Sequence, residues 1–135
     1  MIVADTNLIT YLLLKGPLAP VAEEVYAKDP KWVAPLLWRS EFRSVLSLSM
    51  RRVQLSFEDA MGLMDRAERL MRGRGYQAAS ARILRLAADS GCTAYDCEFV
   101  ALAQYFSVPL VTSDTDLLAK FKPIAMSMQD FCAIG

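Results

Sequence analysis

Four acidic residues stand where a folding chain does not ordinarily leave a charge. Asp5 closes the apolar run Ile2-Val3-Ala4. A fully apolar opening reads as a buried strand, so this carboxylate sits at a strand end. Glu41 lies within "LLWRSEFRSVLSLSMRR" (36–52), four residues after Leu37, three after Trp38 and four before Val45. Helical spacing puts it on or beside the apolar stripe, while Arg39, Arg43 and Arg51 project elsewhere. Asp96, in "AYDCEFVALAQYF", precedes Phe99 by three positions, Val100 by four and Ala103 by seven. It shares their face, and Glu98 is expected to point another way. Asp114 follows the apolar run in "PLVTSDTDLL", behind Thr112 and ahead of Asp116. A carboxylate turned toward a core is costly unless something compensates it.

Each acid has an ordinary explanation on its own. Asp5, Thr6, Asn7 and Asp114 are good helix N-caps. Glu41 can pair with an arginine, and Asp96 suits the first turn of a helix. Four such placements together point instead to a shared compensator. Converging carboxylates do not all stay ionised without a cation. The chain has no histidine, and Cys92, Cys97 and Cys132 form no Cys-x-x-Cys pair. That excludes Ser-His-Asp and Cys-His nucleophiles and His-based zinc sites. An oxygen-only donor set suits Mg²⁺ or Mn²⁺.

The elements that must position these acids follow from the apolar pattern. Strands are expected at 2–5, 31–35, 73–79, 108–114 and 123–127. Helices are expected at 6–14, 20–28, 36–52, 56–72, 80–90, 94–106 and over "DLLAKF", with a further helical turn in the tail. This alternation predicts one α/β domain over 1–135, with a parallel sheet between helices. In such sheets ligands bind beyond the carboxyl ends of the strands, where the strand order reverses. Neighbouring strands there would bring Asp5 and Asp114 to one crevice, with Glu41 and Asp96 reaching it from covering helices.

Composition sets the remaining bounds. An apolar share of 54% excludes a disordered chain. Lys+Arg and Asp+Glu balance at 15 each, yet residues 39–85 hold ten arginines against five acids, and residues 86–135 two lysines against six acids. A basic face beside an acidic cleft is the expectation. "LITYLLL" is too short to span a membrane and lacks signal-peptide flanks, which points to a cytoplasmic protein.

The acid-bearing stretches resemble the PIN domain, in particular the small VapC-type toxin ribonucleases of prokaryotic type II toxin–antitoxin pairs. "VADTN" is similar to the family's opening strand with its first acid, and "WRSEFRSVL" to the helix carrying the second. "AYDCEFVALAQ" resembles a Tyr-Asp pair followed by an Ala-Leu-Ala run, at Tyr95, Asp96, Ala101, Leu102 and Ala103. "PLVTSDTDLL" is similar to the closing motif, with Thr112 and Asp114. The resemblance covers essentially the whole chain. It implies a three-layer α/β/α fold with a mostly parallel sheet of about five strands in the order 3-2-1-4-5. It implies a Mg²⁺- or Mn²⁺-dependent endoribonuclease that hydrolyses RNA phosphodiester bonds and leaves a 5′-phosphate and a 3′-hydroxyl. Asp5, Glu41, Asp96 and Asp114 would be the catalytic and metal-holding acids, directly or through water. Thr6, Asn7, Thr112 and Asp116 would be auxiliary. A homodimer and inhibition by a cognate antitoxin are implied as well. The Met-rich helix at 56–72 carries Met61, Leu63, Met64, Leu70 and Met71 over more than one stripe, and is expected to meet one of those partners.

Two features depart from the family pattern: the neutral charge balance and a poorly marked third strand. Other readings are open. One is a PIN-fold interaction module without catalysis. A phosphatase with an aspartyl nucleophile needs a second Asp two residues after the first, where Asn7 stands. A receiver-type module needs an acid pair there and a lysine after the last strand, and the chain has neither.

Overall fold

The computed structural model describes residues 1–135. Its elements run β1 (Ile2–Ala4), α1 (Thr6–Leu14), α2 (Ala19–Lys28), β2 (Trp32–Pro35), α3 (Trp38–Arg52), α4 (Phe57–Leu70), β3 (Gly75–Tyr76), α5 (Ser80–Ser90), α6 (Ala94–Phe106), β4 (Leu110–Val111), α7 (Thr115–Lys120), β5 (Ala125–Met126) and α8 (Met128–Ala133). The five strands form one sheet in the order β3-β2-β1-β4-β5. All four pairings are parallel, with Val3 opposite Val33 on one side of β1 and Ala4 opposite Val111 on the other. The expected order is borne out, within a three-layer α/β/α arrangement.

The strands exist because their residues are apolar on both faces. Ile2, Val3, Ala4, Trp32, Val33, Ala34, Leu110 and Val111 are all buried. That is the pattern of a parallel sheet covered on both sides. Polar residues set the helix starts. Ser56, Thr93, Asp114 and Ser127 each accept a hydrogen bond from a backbone amide three residues on, the usual N-cap arrangement.

The structure shortens three expected strands to two residues each, and in 123–127 these are Ala125 and Met126. In 108–114 only Leu110 and Val111 are strand, and Asp114 is the N-cap of α7. In 73–79 only Gly75 and Tyr76 pair with β2. Gly75 lets the Leu36 side chain approach closely: a Cβ there would meet Leu36 Cδ2 at 2.7 Å and displace it.

The Met-rich helix also needs correcting. Met64 belongs to this chain's own core at 7% exposure, whereas Phe57 and Met61 face outward at 62% and 46%. Met50, placed on the apolar stripe of α3, is exposed as well. No helix is long and apolar enough to cross a membrane.

The strand order fixes where a site can be. The chain builds β1, β2 and β3 outward on one side, then returns to β1 and builds β4 and β5 on the other. The reversal falls between β1 and β4. Asp5 follows β1 directly, and Thr112 follows β4.

Candidate active site

Asp5 occupies the N-cap position of α1 but makes no capping hydrogen bond with its side chain. Its backbone amide donates to the Val111 carbonyl at 3.2 Å, which extends the β1–β4 pairing by one residue. The Thr112 hydroxyl then donates to Asp5 Oδ2 at 2.6 Å. The same Thr112 oxygen accepts from the Asp114 amide at 3.0 Å. A fully buried threonine thus links the two strand-end acids across the reversal point. Asp114 does act as a cap: its Oδ1 accepts from the Leu117 amide at 3.0 Å.

Glu41 enters from α3. The buried Thr6, the first residue of α1, donates its hydroxyl to Glu41 Oε1 at 2.6 Å. No arginine reaches Glu41. Of the two arginines nearest in sequence, Arg39 pairs with Glu68 at 3.1 Å and Arg43 forms no ion pair. The ion pairs of the protein are Met1–Asp29, Lys15–Glu23 and Arg39–Glu68, and none involves the candidate acids. Asp96 lies in the first turn of α6, and its amide donates to Thr93 Oγ1 at 3.1 Å.

Three of these acids share one direction of shift. Burial pushes the Asp5 carboxyl above its usual range, hydrogen bonds from Thr112 and Thr6 oppose this, and the charges of Asp114 and Asp96 add to the rise. Burial likewise raises Glu41, against the Thr6 hydroxyl and with Asp5, Asp96 and Glu98. Asp96 is raised by burial first, then by Asp114 and Asp116. Asp5, Glu41 and Asp96 each feel at least one other acid, as converging carboxylates should. Glu98 is a further acid of α6. It is close enough to Glu41 to raise that group's pKa, and burial raises its own.

The auxiliary residues divide. Thr6 and Thr112 bond the acids directly. Asp116 is exposed yet felt by Asp96. Asn7 is exposed on α1 and makes no side-chain hydrogen bond to the acids. Four of the ten arginines of 39–85 are engaged elsewhere: Arg39 bonds Glu68, Arg51 bonds Ser47, Arg74 bonds the Pro30 carbonyl and Arg82 bonds Gln104. A groove of about 600 Å³ lies apart from the acids, between Leu13, Val53, Leu55 and Leu63.

An oxygen-only set of acids without a cationic partner is the donor chemistry that Mg²⁺ or Mn²⁺ takes. No three carboxylates are close enough together for one ion to touch them all. An ion there would keep part of its water shell, which Mg²⁺ does readily.

The fold and the acid-bearing stretches agree with the comparisons to known proteins. The family model of the PIN domain matches residues 2–122, which include all four acids. The chain belongs to the PIN domain family. Among solved structures, the crystal structure of PAE2754 from Pyrobaculum aerophilum is similar, with a TM-score of 0.73 and 22% sequence identity. The match covers 98% of this chain and 96% of that one. At that identity the likeness is one of fold. No curated protein gives a significant sequence match. PIN domains are generally nucleases.

Proposed function

We propose that the protein is a Mg²⁺- or Mn²⁺-dependent endoribonuclease, acting as the toxin of a VapC-type toxin–antitoxin pair in the cytoplasm. The observation that carries this reading is the acid cleft at the strand-order reversal, in a chain of a generally nucleolytic family. Asp5, Asp96 and Asp114 would hold the ion, with Glu41 opposite, in part through water. Bound there, a divalent cation lowers the pKa of a water and offsets charge on phosphate oxygens.

The chain's own residues supply the rest. Thr112 fixes one oxygen of Asp5, and Thr6 fixes one oxygen of Glu41. Glu41, whose pKa is raised by burial, is suited to take a proton from an attacking water. Arginines without a carboxylate partner, Arg43 and Arg85 among them, are available to the phosphate backbone.

Two uncovered apolar surfaces support protein partners, a second copy and an antitoxin. One is a groove of about 360 Å³ between α3 and α4, with Phe57 and Met61 at its rim. The other lies on α5 and α6, where Leu84 and Tyr105 are 64% and 72% exposed.

The test is cleavage of labelled RNA by purified protein, with Mn²⁺ or Mg²⁺ and with excess EDTA. The expected result is cleavage only with metal, abolished in Asp5→Asn. Equal cleavage by that variant, or cleavage in EDTA by the wild type alone, would contradict the reading.

A further inference from the structure

α1 touches both walls of the acid cleft. At its first residue Thr6 bonds Glu41. Five positions on, from a different side of the helix, the Tyr11 hydroxyl lies 3.0 Å from Ser113 Oγ. Ser113 stands between Thr112 and Asp114, in the turn that joins β4 to α7. The three residues of that turn are held in three directions: Thr112 by Asp5, Asp114 by the α7 amide of Leu117, and Ser113 by Tyr11. The Thr112 bond reaches the N-cap of α1, and only the Ser113 bond reaches the body of that helix.

We propose that Tyr11 is a positioning residue for the metal site, holding Asp114 at the correct distance from Asp5 through Ser113. The physical argument is one of rigidity. β4 contributes two residues to the sheet, and its ladder ends at the Thr112 amide, which donates to the Met126 carbonyl at 3.0 Å, so Ser113 and Asp114 lie beyond it. Asp114 already commits Oδ1 to its cap, so its free oxygen can meet an ion only in the orientation the turn dictates. A hydroxyl pair 102 residues apart in sequence fixes that orientation without adding charge. The Tyr11 ring packs partly buried against the core, so replacing it with phenylalanine keeps the packing and removes the tether alone.

This inference rests on the acid cleft being a divalent-cation site, and its test separates the two. Mn²⁺ affinity is measured by titration calorimetry, with melting temperatures in EDTA alongside. Tyr11→Phe and Ser113→Ala are each expected to weaken Mn²⁺ binding roughly threefold to tenfold, the size of one neutral hydrogen bond. The double variant should bind no more weakly than either single one, because both remove the same bond. Ser113→Thr, which keeps a hydroxyl, should restore affinity. Unchanged Mn²⁺ affinity in Tyr11→Phe overturns the proposal, whatever happens to stability. Additive losses in the double variant do the same. A wild-type protein that binds no Mn²⁺ overturns the metal-site reading itself, and this proposal with it.

Discussion

Thr112 Oγ1 donates to Asp5 Oδ2 at 2.6 Å while accepting from the Asp114 amide at 3.0 Å, so one buried hydroxyl serves both strand-end acids. Hydrogen bonds to a charged group are worth about 1.5–3 kcal/mol, and an orphaned buried partner costs a comparable amount. Thr112→Val, with the same shape and no hydroxyl, is therefore expected to lose about 2–4 kcal/mol of stability in EDTA. Thr112→Ser should lose much less. Urea denaturation of both variants checks this. A valine variant within half a kcal/mol of wild type would show that the hydroxyl is not what links the two acids.

The metal-free protein is expected to lose stability as pH rises. Burial raises Asp5, Glu41 and Asp96 above their ordinary values of 3.8, 4.5 and 3.8. The native state therefore binds these protons more tightly than the unfolded chain. Their stabilising contribution is complete below the ordinary values and is lost as pH climbs through the raised native ones. Asp29 works the other way. Its burial is outweighed by hydrogen bonds from the amino terminus and the Lys31 amide, and its pKa is lowered. Comparing Asp5→Asn with wild type cancels Asp29. The variant should gain on wild type as pH rises from about 4 to 7, as melting temperatures in EDTA will show. A gap that does not change with pH would contradict the raised pKa.

Met64 and Met61 should behave differently although they share one helix. Met64 is core at 7% exposure, so Met64→Glu buries an unpaired charge and should cost about 3–5 kcal/mol. Met61 is 46% exposed, and Met61→Glu should leave the monomer within about 0.5 kcal/mol of wild type. If Met61 meets a protein partner, its variant should instead change the sedimentation of the assembly. Denaturation and sedimentation of both variants distinguish fold from association.

The sequence made the fold legible where apolar runs were long and bounded. β1, β2 and the helices stood out, and the reversal point followed from a parallel sheet. β3 did not stand out because it is a two-residue edge element, and its glycine answers to Leu36 rather than to strand propensity. Glu41 and Asp96 were read from helical periodicity, and Asp5 and Asp114 from their places at the ends of apolar strands. Glu98 was not counted among them. Two positions from Asp96, it projects from nearly the opposite side of α6, and nothing in one helix says that Glu41 arrives from another. The tethers Thr6–Glu41 and Tyr11–Ser113 join residues 35 and 102 apart. Such pairs depend on the packing of whole helices, which local pattern does not record.

The central claim, that these four acids share one cation site, is tested most directly by melting wild type and Asp96→Asn in EDTA and in millimolar Mn²⁺. Without metal, Asp96 is raised by burial and by Asp114 and Asp116, so removing its charge should stabilise the fold. With Mn²⁺ at about a hundred times its dissociation constant, wild type should gain roughly 2.7 kcal/mol. The variant should gain much less, because a neutral amide is a poorer ligand for a hard cation. The two proteins are therefore predicted to exchange rank between the buffers. An acid serving only the first turn of α6 gives the opposite pattern. Its loss would cost a few tenths of a kcal/mol in EDTA, about the size of a helix-terminus charge effect. Mn²⁺ would then shift both proteins equally, and that result would contradict the account.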